Sequence, residues 1–308
     1  MNLNKQHTLL KEYIFNGKGL HTGRLVEMKL KPAPVNHGIK FHRTDIGDDA
    51  FIEAHVDYVT TTARGTTLEK GEIKISTLEH LMAALYGLQV DNVLIEINAQ
   101  EVPILDGSAR LYSEAITADG LCEQEAERDY LVIKEKMVCR DEQSGSEIIL
   151  MPDNEFALDL MIDYNSKVLG NQYARFNTSV DFAKEIAPCR TFVFFHELEP
   201  LFKNNLIKGG DLDNAIIIVE HHVPQSELDR LAGIFKVNTL ERAPEGYLNH
   251  LELRFSNECA RHKLLDICGD FALVGKPLKA RVIGYKTGHK INTSMARNLR
   301  ELALKQNY

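Results

Sequence analysis

The sequence predicts an α+β protein of two domains, and three observations lead there. At 308 residues the chain is long for one typical domain and comfortable for two. Each half carries runs of short strand-like segments interrupted by a few stretches of helical periodicity, the pattern of a sheet with helices on one face. Between the halves, Asp119–Asp129 is polar and mostly acidic and reads as a linker separating a domain over residues 1–124 from one over 125–308.

In the first half, Asn92–Ile97 is apolar and β-branched between Asp91 and Asn98, the mark of a buried strand. Before it, Leu78, Leu81, Met82 and Leu85 fall at i, i+3, i+4 and i+7, and Gly87 stands where a C-terminal cap is expected. A second helix is predicted over Ser108–Ala118. Strands follow at Tyr130–Ile133, Glu147–Met151, Phe156–Tyr164 and Ala215–Val219. Two later helices are expected. Cys259–Cys268 has Leu264, Leu265 and Cys268 on its apolar side and stops at Gly269; the last starts near Ser294, with Met295, Leu299 and Leu302 at helical spacing.

Composition narrows the class. A hydrophobic fraction of 44% with 26% charged residues is that of a globular protein and excludes collagen-like and disordered chains. A net charge of -8 argues against a general nucleic-acid binder, although a small anionic ligand needs only a few basic side chains. The cysteines at 122, 139, 189, 259 and 268 form no CxxC pair, and their odd number suits reduced thiols. The start, Met1 to His7, lacks the apolar core of a signal peptide, and the dense apolar runs are strand-sized, so no transmembrane segment and a cytoplasmic location are expected.

Three polar constellations stand out. In His262-Lys263-Leu264-Leu265-Asp266 an imidazole and a carboxylate share one helix face. They either grip a metal ion or form a surface pair worth a few tenths of a kcal/mol, on the order of 0.3. Ser76-Thr77-Leu78-Glu79-His80 fits a capping box, which accounts for Glu79 without chemistry, and equally places a carboxylate beside an imidazole at a helix start. No HExxH is present. In Tyr285-Lys286-Thr287-Gly288-His289 a loop histidine follows a glycine that frees the backbone to aim the ring into a cleft; solvation is the plainer account. Gly17 to Gly23 does not fit a phosphate-binding GxxxxGK[ST], and tight-turn glycines explain it.

Taken together and in order, the blocks GKGLHTG (17–23), STLEHLMAALYGLQVDN (76–92), EVPILDGSA (101–109), CRTF (189–192), KGGDLDNA (208–215), RHKLLDICGD (261–270) and YKTGH (285–289) closely resemble the UDP-3-O-acyl-N-acetylglucosamine deacetylases, zinc enzymes of lipid A synthesis in Gram-negative bacteria. The resemblance implies two domains of similar topology, with helices sandwiched between two outer sheets and the active site between the domains. It implies His80, His262 and Asp266 as ligands of one Zn2+ per chain (Fe2+ could share the site), leaving a fourth position for water. It implies Glu79 as general base, His289 as the acid oriented by Asp270, and Thr191 as a donor to the oxyanion. For the acylated UDP-N-acetylglucosamine substrate it suggests Lys263 and Lys286 at the diphosphate and Phe192 and Tyr164 for packing. An insert over 194–210, with Leu198, Ile207 and Gly210, would form an apolar passage for the acyl chain. Some members are fused to a hydroxyacyl-carrier-protein dehydratase. One departure is Ala63-Arg64-Gly65-Thr66, more polar than expected near such a passage. Two other readings remain open here: a catalytically silent sugar-nucleotide-binding protein, and a zinc amidohydrolase acting on another acylated sugar nucleotide.

Overall fold

A computed structural model describes residues 4–248 and 251–305; the first three residues of the N-terminal stretch and the terminal Tyr308 lie outside it. Among the described residues there are seven α-helices: α1 Glu79–Gly87, α2 Arg110–Asp119, α3 Phe182–Glu185, α4 Phe195–Lys203, α5 Gln225–Phe235, α6 Glu258–Ala272 and α7 His289–Lys305. The α+β class holds.

Two sheets carry the fold, and they share one plan. The first runs in the order Tyr13–Lys18, Leu25–Pro32, Val93–Ile97, Ile39–Arg43, Phe51–Glu53. Its central strand, Val93–Ile97, arrives last in sequence and pairs antiparallel with Leu25–Pro32 and parallel with Ile39–Arg43. The second runs Met137–Asp141, Ser146–Pro152, Leu278–Tyr285, Phe156–Asp163, Asn171–Phe176, with Leu131–Val132 paired to the start of Leu278–Tyr285. There too the central strand arrives last, antiparallel to one hairpin and parallel to the other. Each central strand is preceded by a helix, α1 or α6, and followed by one, α2 or α7. Both sheets alternate buried and exposed residues, so one face of each is dry. These dry faces join through α1 and α6 in one continuous core that includes Ile95, Leu81, Leu264 and Val282.

The second copy carries an insert. Phe192–Phe194 and Ile216–Ile218 form a parallel pair with α4 between them, and α5 follows. Their alternation divides two cores. Phe192, Phe194, Ile216 and Ile218 pack into the main core. Val193, Phe195, Ile217 and Val219 turn the other way, into a smaller cluster with Leu198, Leu228 and Leu231.

Several sequence expectations are corrected. Leu121–Glu127 is no free linker: it is a strand paired antiparallel with Lys5–Leu9. Its acidic side chains point outward while Gln124 is tied inward, donating to the Ala33 carbonyl and accepting from Asn92. The capping box is absent. Ser76 ends a strand and its hydroxyl donates to the Gln100 carbonyl, so α1 starts with no side-chain cap and the Glu79 carboxyl is left for other partners. Gly87 is the last helical residue, and the left-handed turn falls on Gln89. A side chain at Gly87 would strike the Phe182 ring at 2.4 Å. The last helix starts five residues before Ser294, at His289, which is therefore a helix residue rather than a loop one.

The most consequential correction concerns Gly269. It does not end a helix: α6 continues to Ala272. A Cβ at Gly269 would stand 2.1 Å from the Glu79 carbonyl oxygen, so the glycine lets α6 cross α1 at backbone distance. His262, Asp266 and Gly269 lie at i, i+4 and i+7 on α6, so the polar stripe faces α1 rather than solvent. Gly269→Ala must push the helices apart and is expected to cost about 2 kcal/mol, the usual penalty of overpacking. Gly233→Ala, in α5 with open space around it, should instead stabilise by about 0.5–1 kcal/mol. Thermal melts of the two variants check this: Gly269→Ala melting at or above the parent would refute the crossing.

Candidate active site

The crossing decides what meets. His80 is the second residue of α1; His262 and Asp266 stand one turn apart on α6. The two imidazoles meet edge to face with centroids 5.0 Å apart. His262 Nε2 lies 3.4 Å from Asp266 Oδ1. One ligand atom from each of the three residues falls within 4.8 Å of the others, and all three side chains are buried. His262 Nδ1 donates to the Cys189 carbonyl at 3.0 Å, which fixes the tautomer and leaves the Nε2 lone pair facing inward.

The electrostatics suit a cation. Burial, with His262 alongside, pushes the His80 pKa down to about 3. Burial lowers that of His262 as well, so both rings are neutral donors. Burial works against the Asp266 carboxylate, yet His262, Lys263 and His289 together hold it well below the usual range. Lys263 Nζ donates to Asp266 Oδ2 at 2.8 Å, while buried Oδ1 has no hydrogen-bond partner. An unpartnered carboxylate oxygen beside two neutral imidazoles is costly in a dry site unless a cation completes it. The donor set therefore fits one divalent metal ion, with room for a water.

Two further groups flank this triad. Glu79 Oε2 accepts from the Thr66 backbone amide at 3.1 Å, and Oε1 lies 3.8 Å from His289 Nε2. Burial, reinforced by Asp266 and Asp270 and opposed by His289, pushes the Glu79 pKa up to about 7. For His289 burial acts downward, but Asp270, Asp266 and Glu79 together outweigh it, and the pKa is pushed up to about 10. His289 Nδ1 donates to Asp270 Oδ2 at 2.8 Å, which turns Nε2 toward Glu79 and the triad. A carboxyl poised near neutrality beside an imidazolium has the protonation states that acid–base chemistry requires.

A cavity of about 170 Å³ opens over these groups. Glu79, His80, His262, Asp266 and His289 form its floor, and Thr191, Phe192 and Lys263 stand beside them. Leu198, Ile207 and Gly210 line the arm that runs into the insert. Asp270 is fully buried behind His289. Two expected contacts stand apart. Tyr164 is edge-on to Phe192 at 5.4 Å, one ring removed. Lys286 is bound to Asp163 at 3.0 Å.

Sequence reasoning missed Leu20, His21, Thr77, Ile217 and Phe235, which also line the cavity, whereas Leu201 lies within the expected insert. His21 belongs to the 17–23 block, and its amide and that of Thr22 both donate to buried Glu101 at 2.8 Å. A carboxylate thus occupies the amides an anion would use. The polar block 63–66 is explained as well. Arg64 reaches Glu197 of α4 at 2.9 Å, and Gly65 and Thr66 lie against the Glu79 carboxyl.

Known proteins resemble this chain over nearly its full length. A family model described as LpxC, UDP-3-O-acyl N-acetylglycosamine deacetylase, matches residues 6–232 and 229–301. The chain is 48% identical over 297 residues to the bifunctional enzyme LpxC/FabZ of Bacteroides thetaiotaomicron, covering 96% of this chain and 64% of that protein. It is 48% identical over 305 residues to the enzyme of the same name from Porphyromonas gingivalis, covering 99% and 66%. Against the UDP-3-O-acyl-N-acetylglucosamine deacetylase of Teredinibacter turnerae it is 36% identical over 300 residues, covering 96% and 90%. The chain thus spans slightly less than two thirds of these two bifunctional relatives and nine tenths of the single-function one. With nearly its whole length matched by the family model and a buried His–His–Asp group at the helix crossing, the chain belongs to the UDP-3-O-acyl N-acetylglycosamine deacetylase (LpxC) family.

Proposed function

We propose that this chain hydrolyses the N-acetyl group of UDP-3-O-(3-hydroxyacyl)-N-acetylglucosamine, releasing acetate and the free amine, in lipid A biosynthesis. One observation carries the reading: a buried carboxyl and a half-buried imidazolium lie 3.8 Å apart beside a three-donor cation site, in a cavity whose lining extends over apolar residues of the insert.

His80, His262 and Asp266 would hold the metal, zinc or ferrous iron. Such an ion polarises a carbonyl and lowers the pKa of a bound water to roughly 7. Glu79 takes a proton from the attacking water on its carboxylate. The Thr191 hydroxyl donates to the acetamide oxygen as charge develops there. His289 gives its Nε2 proton to the amide nitrogen, so that an amine rather than an amide anion departs. Asp270 keeps that ring charged and oriented. Lys263 and Lys286 contact the diphosphate, Phe192 and Tyr164 pack on the sugar and base, and Leu198, Ile207 and Gly210 border the acyl chain. In this reading the residues up to 124 supply Glu79 and His80, and 125–308 supply the rest. A silent binder would have no use for Glu79, whose buried carboxyl accepts from the Thr66 amide and otherwise faces His289.

Among the described residues no helix is long and apolar enough to cross a membrane. The reading places the enzyme in the cytoplasm. In a longer protein the chain would be the deacetylase part beside a FabZ part, as the names of its bifunctional relatives suggest.

Three outcomes are expected. His80→Ala and His262→Ala should lose the metal and nearly all acetate release; stoichiometric metal in both, by elemental analysis, would sink the ligand assignment. Glu79→Gln keeps an oxygen for the Thr66 amide but cannot take up a proton. It should retain metal and a near-native melting temperature while kcat falls roughly a hundredfold or more; activity within a fewfold of the parent would move the base elsewhere. Finally, the sugar nucleotide lacking its acyl chain should turn over far more slowly than the acylated one, and equal rates would remove the apolar arm from substrate recognition.

A further inference from the structure

Thr66 is fully buried and touches both flanking groups at once. Its backbone N–H donates to Glu79 Oε2 at 3.1 Å, and its hydroxyl donates to Asp270 Oδ1 at 2.6 Å. The same hydroxyl oxygen lies 3.3 Å from His289 Nδ1. The other Asp270 oxygen, Oδ2, is already shared by His289 Nδ1 and by Asn292 Nδ2, each at 2.8 Å. The Thr66 hydroxyl is therefore the donor that occupies Oδ1. Just before it, a side chain at Gly65 would meet Glu79 Oε1 at 2.9 Å, so the backbone there lies close against the carboxyl.

We propose that Thr66 is the positioning residue that fixes the Glu79 carboxyl and the His289 imidazole relative to each other, through its amide on one and its hydroxyl, by way of Asp270, on the other. The inference rests on the reading that Glu79 and His289 move the protons of the reaction. The physical reason is the geometry of a carboxylate with three donors. With Oδ1 held by Thr66 and Oδ2 by Asn292, the plane of Asp270 is set, and the imidazole bonded to Oδ2 is set with it. Without the hydroxyl, Oδ1 loses its donor in a dry site, and the carboxylate turns to recover one. The ring turns with it, and Nε2 leaves its place opposite Glu79. Near-attack geometry is sensitive to displacements on this scale. Thr66 and Asp270 are 204 residues apart in sequence, so the bond also joins the two halves of the chain at the reacting centre.

Valine has the shape of threonine without the donor, and serine has the donor without the methyl group. In the metal-loaded enzyme, Thr66→Val is expected to lower kcat about tenfold or more, as loss of an outer hydrogen-bond partner does, with KM and metal content unchanged. Thr66→Ser should recover most of the rate. A structural role alone would lower both variants together with their melting temperatures. Should Thr66→Val fail to fold, Thr66→Ala removes the same hydroxyl without a clash. Proton NMR gives a readout that does not depend on turnover: the downfield Nδ1–H signal of His289, assigned by its loss in His289→Gln, should shift in Thr66→Val and return in Thr66→Ser. Wild-type protein that releases no acetate would defeat the functional reading while leaving the NMR comparison to decide the hydrogen bond. An unmoved resonance in Thr66→Val, wild-type kcat in that variant, or a serine variant as impaired as valine overturns the proposal.

Discussion

The site depends on one close approach, that of the Glu79 carbonyl to Gly269 where α1 crosses α6. Neither helix could supply the triad alone. α1 offers one imidazole and one carboxyl in adjacent positions; α6 offers His262, Asp266 and Asp270 along one stripe. Side chains of ordinary size at the crossing would hold the axes 8–10 Å apart. With only a hydrogen at Gly269 the axes come closer, and short side chains such as Asp266 reach the partner helix. The two sheets, each ending its plan on a helix, central strand and helix, bring these equivalent helices face to face.

Once these groups are buried together, their neighbours decide which proton each keeps. Asp266 and Glu79 are both carboxyls at the floor of one cavity. Asp266 has an imidazole and the Lys263 ammonium close by and stays an anion. Glu79 has one backbone amide, a cation 3.8 Å away and two further carboxylates acting on it, so its proton is held far more tightly. The histidines divide in the same way. Burial keeps His80 and His262 neutral, while His289 is bonded to a carboxylate and keeps its charge. Similar residue types take opposite protonation states within a few ångströms because the local field differs, not the chemistry of the side chain.

Much of this was legible in the sequence, and the failures have physical causes. The cores of α1 and α6 showed in apolar spacing, and strands such as Val93–Ile97 and Phe156–Asp163 showed in their composition. The His262–Asp266 pair was visible as a shared helix face, but whether that face met water or another helix was not, because the answer lies in residues almost two hundred positions away. Gly269 was misread for the same reason. A glycine costs a helix about 1 kcal/mol and commonly ends one, and only the tertiary contact shows why it is inside. The Ser76–Glu79 pair had the spacing of a cap, yet Ser76 was already committed to the strand before the helix. Leu121–Glu127 looked like a solvated run because its outward side chains are acidic; its backbone partners lie at the far N-terminus. The division of roles among the site residues came from the order of the motif blocks, and no periodicity contained it.

The two-stranded ladder of the insert works like a party wall. Each strand, with the residue just past it, sends alternate side chains into separate rooms: Phe192, Phe194, Ile216 and Ile218 on one side, Val193, Phe195, Ile217 and Val219 on the other. A slip of one residue in either strand would exchange the occupants of both rooms. A single insertion or deletion inside these segments is thereby forbidden. The excursions leaving the wall, through α4 between the strands and through α5 after them, close over their own small cluster. In hereditary terms the floor and the ceiling of the cavity are separate estates: the triad sits on α1 and α6, and the residues of the arm on the insert.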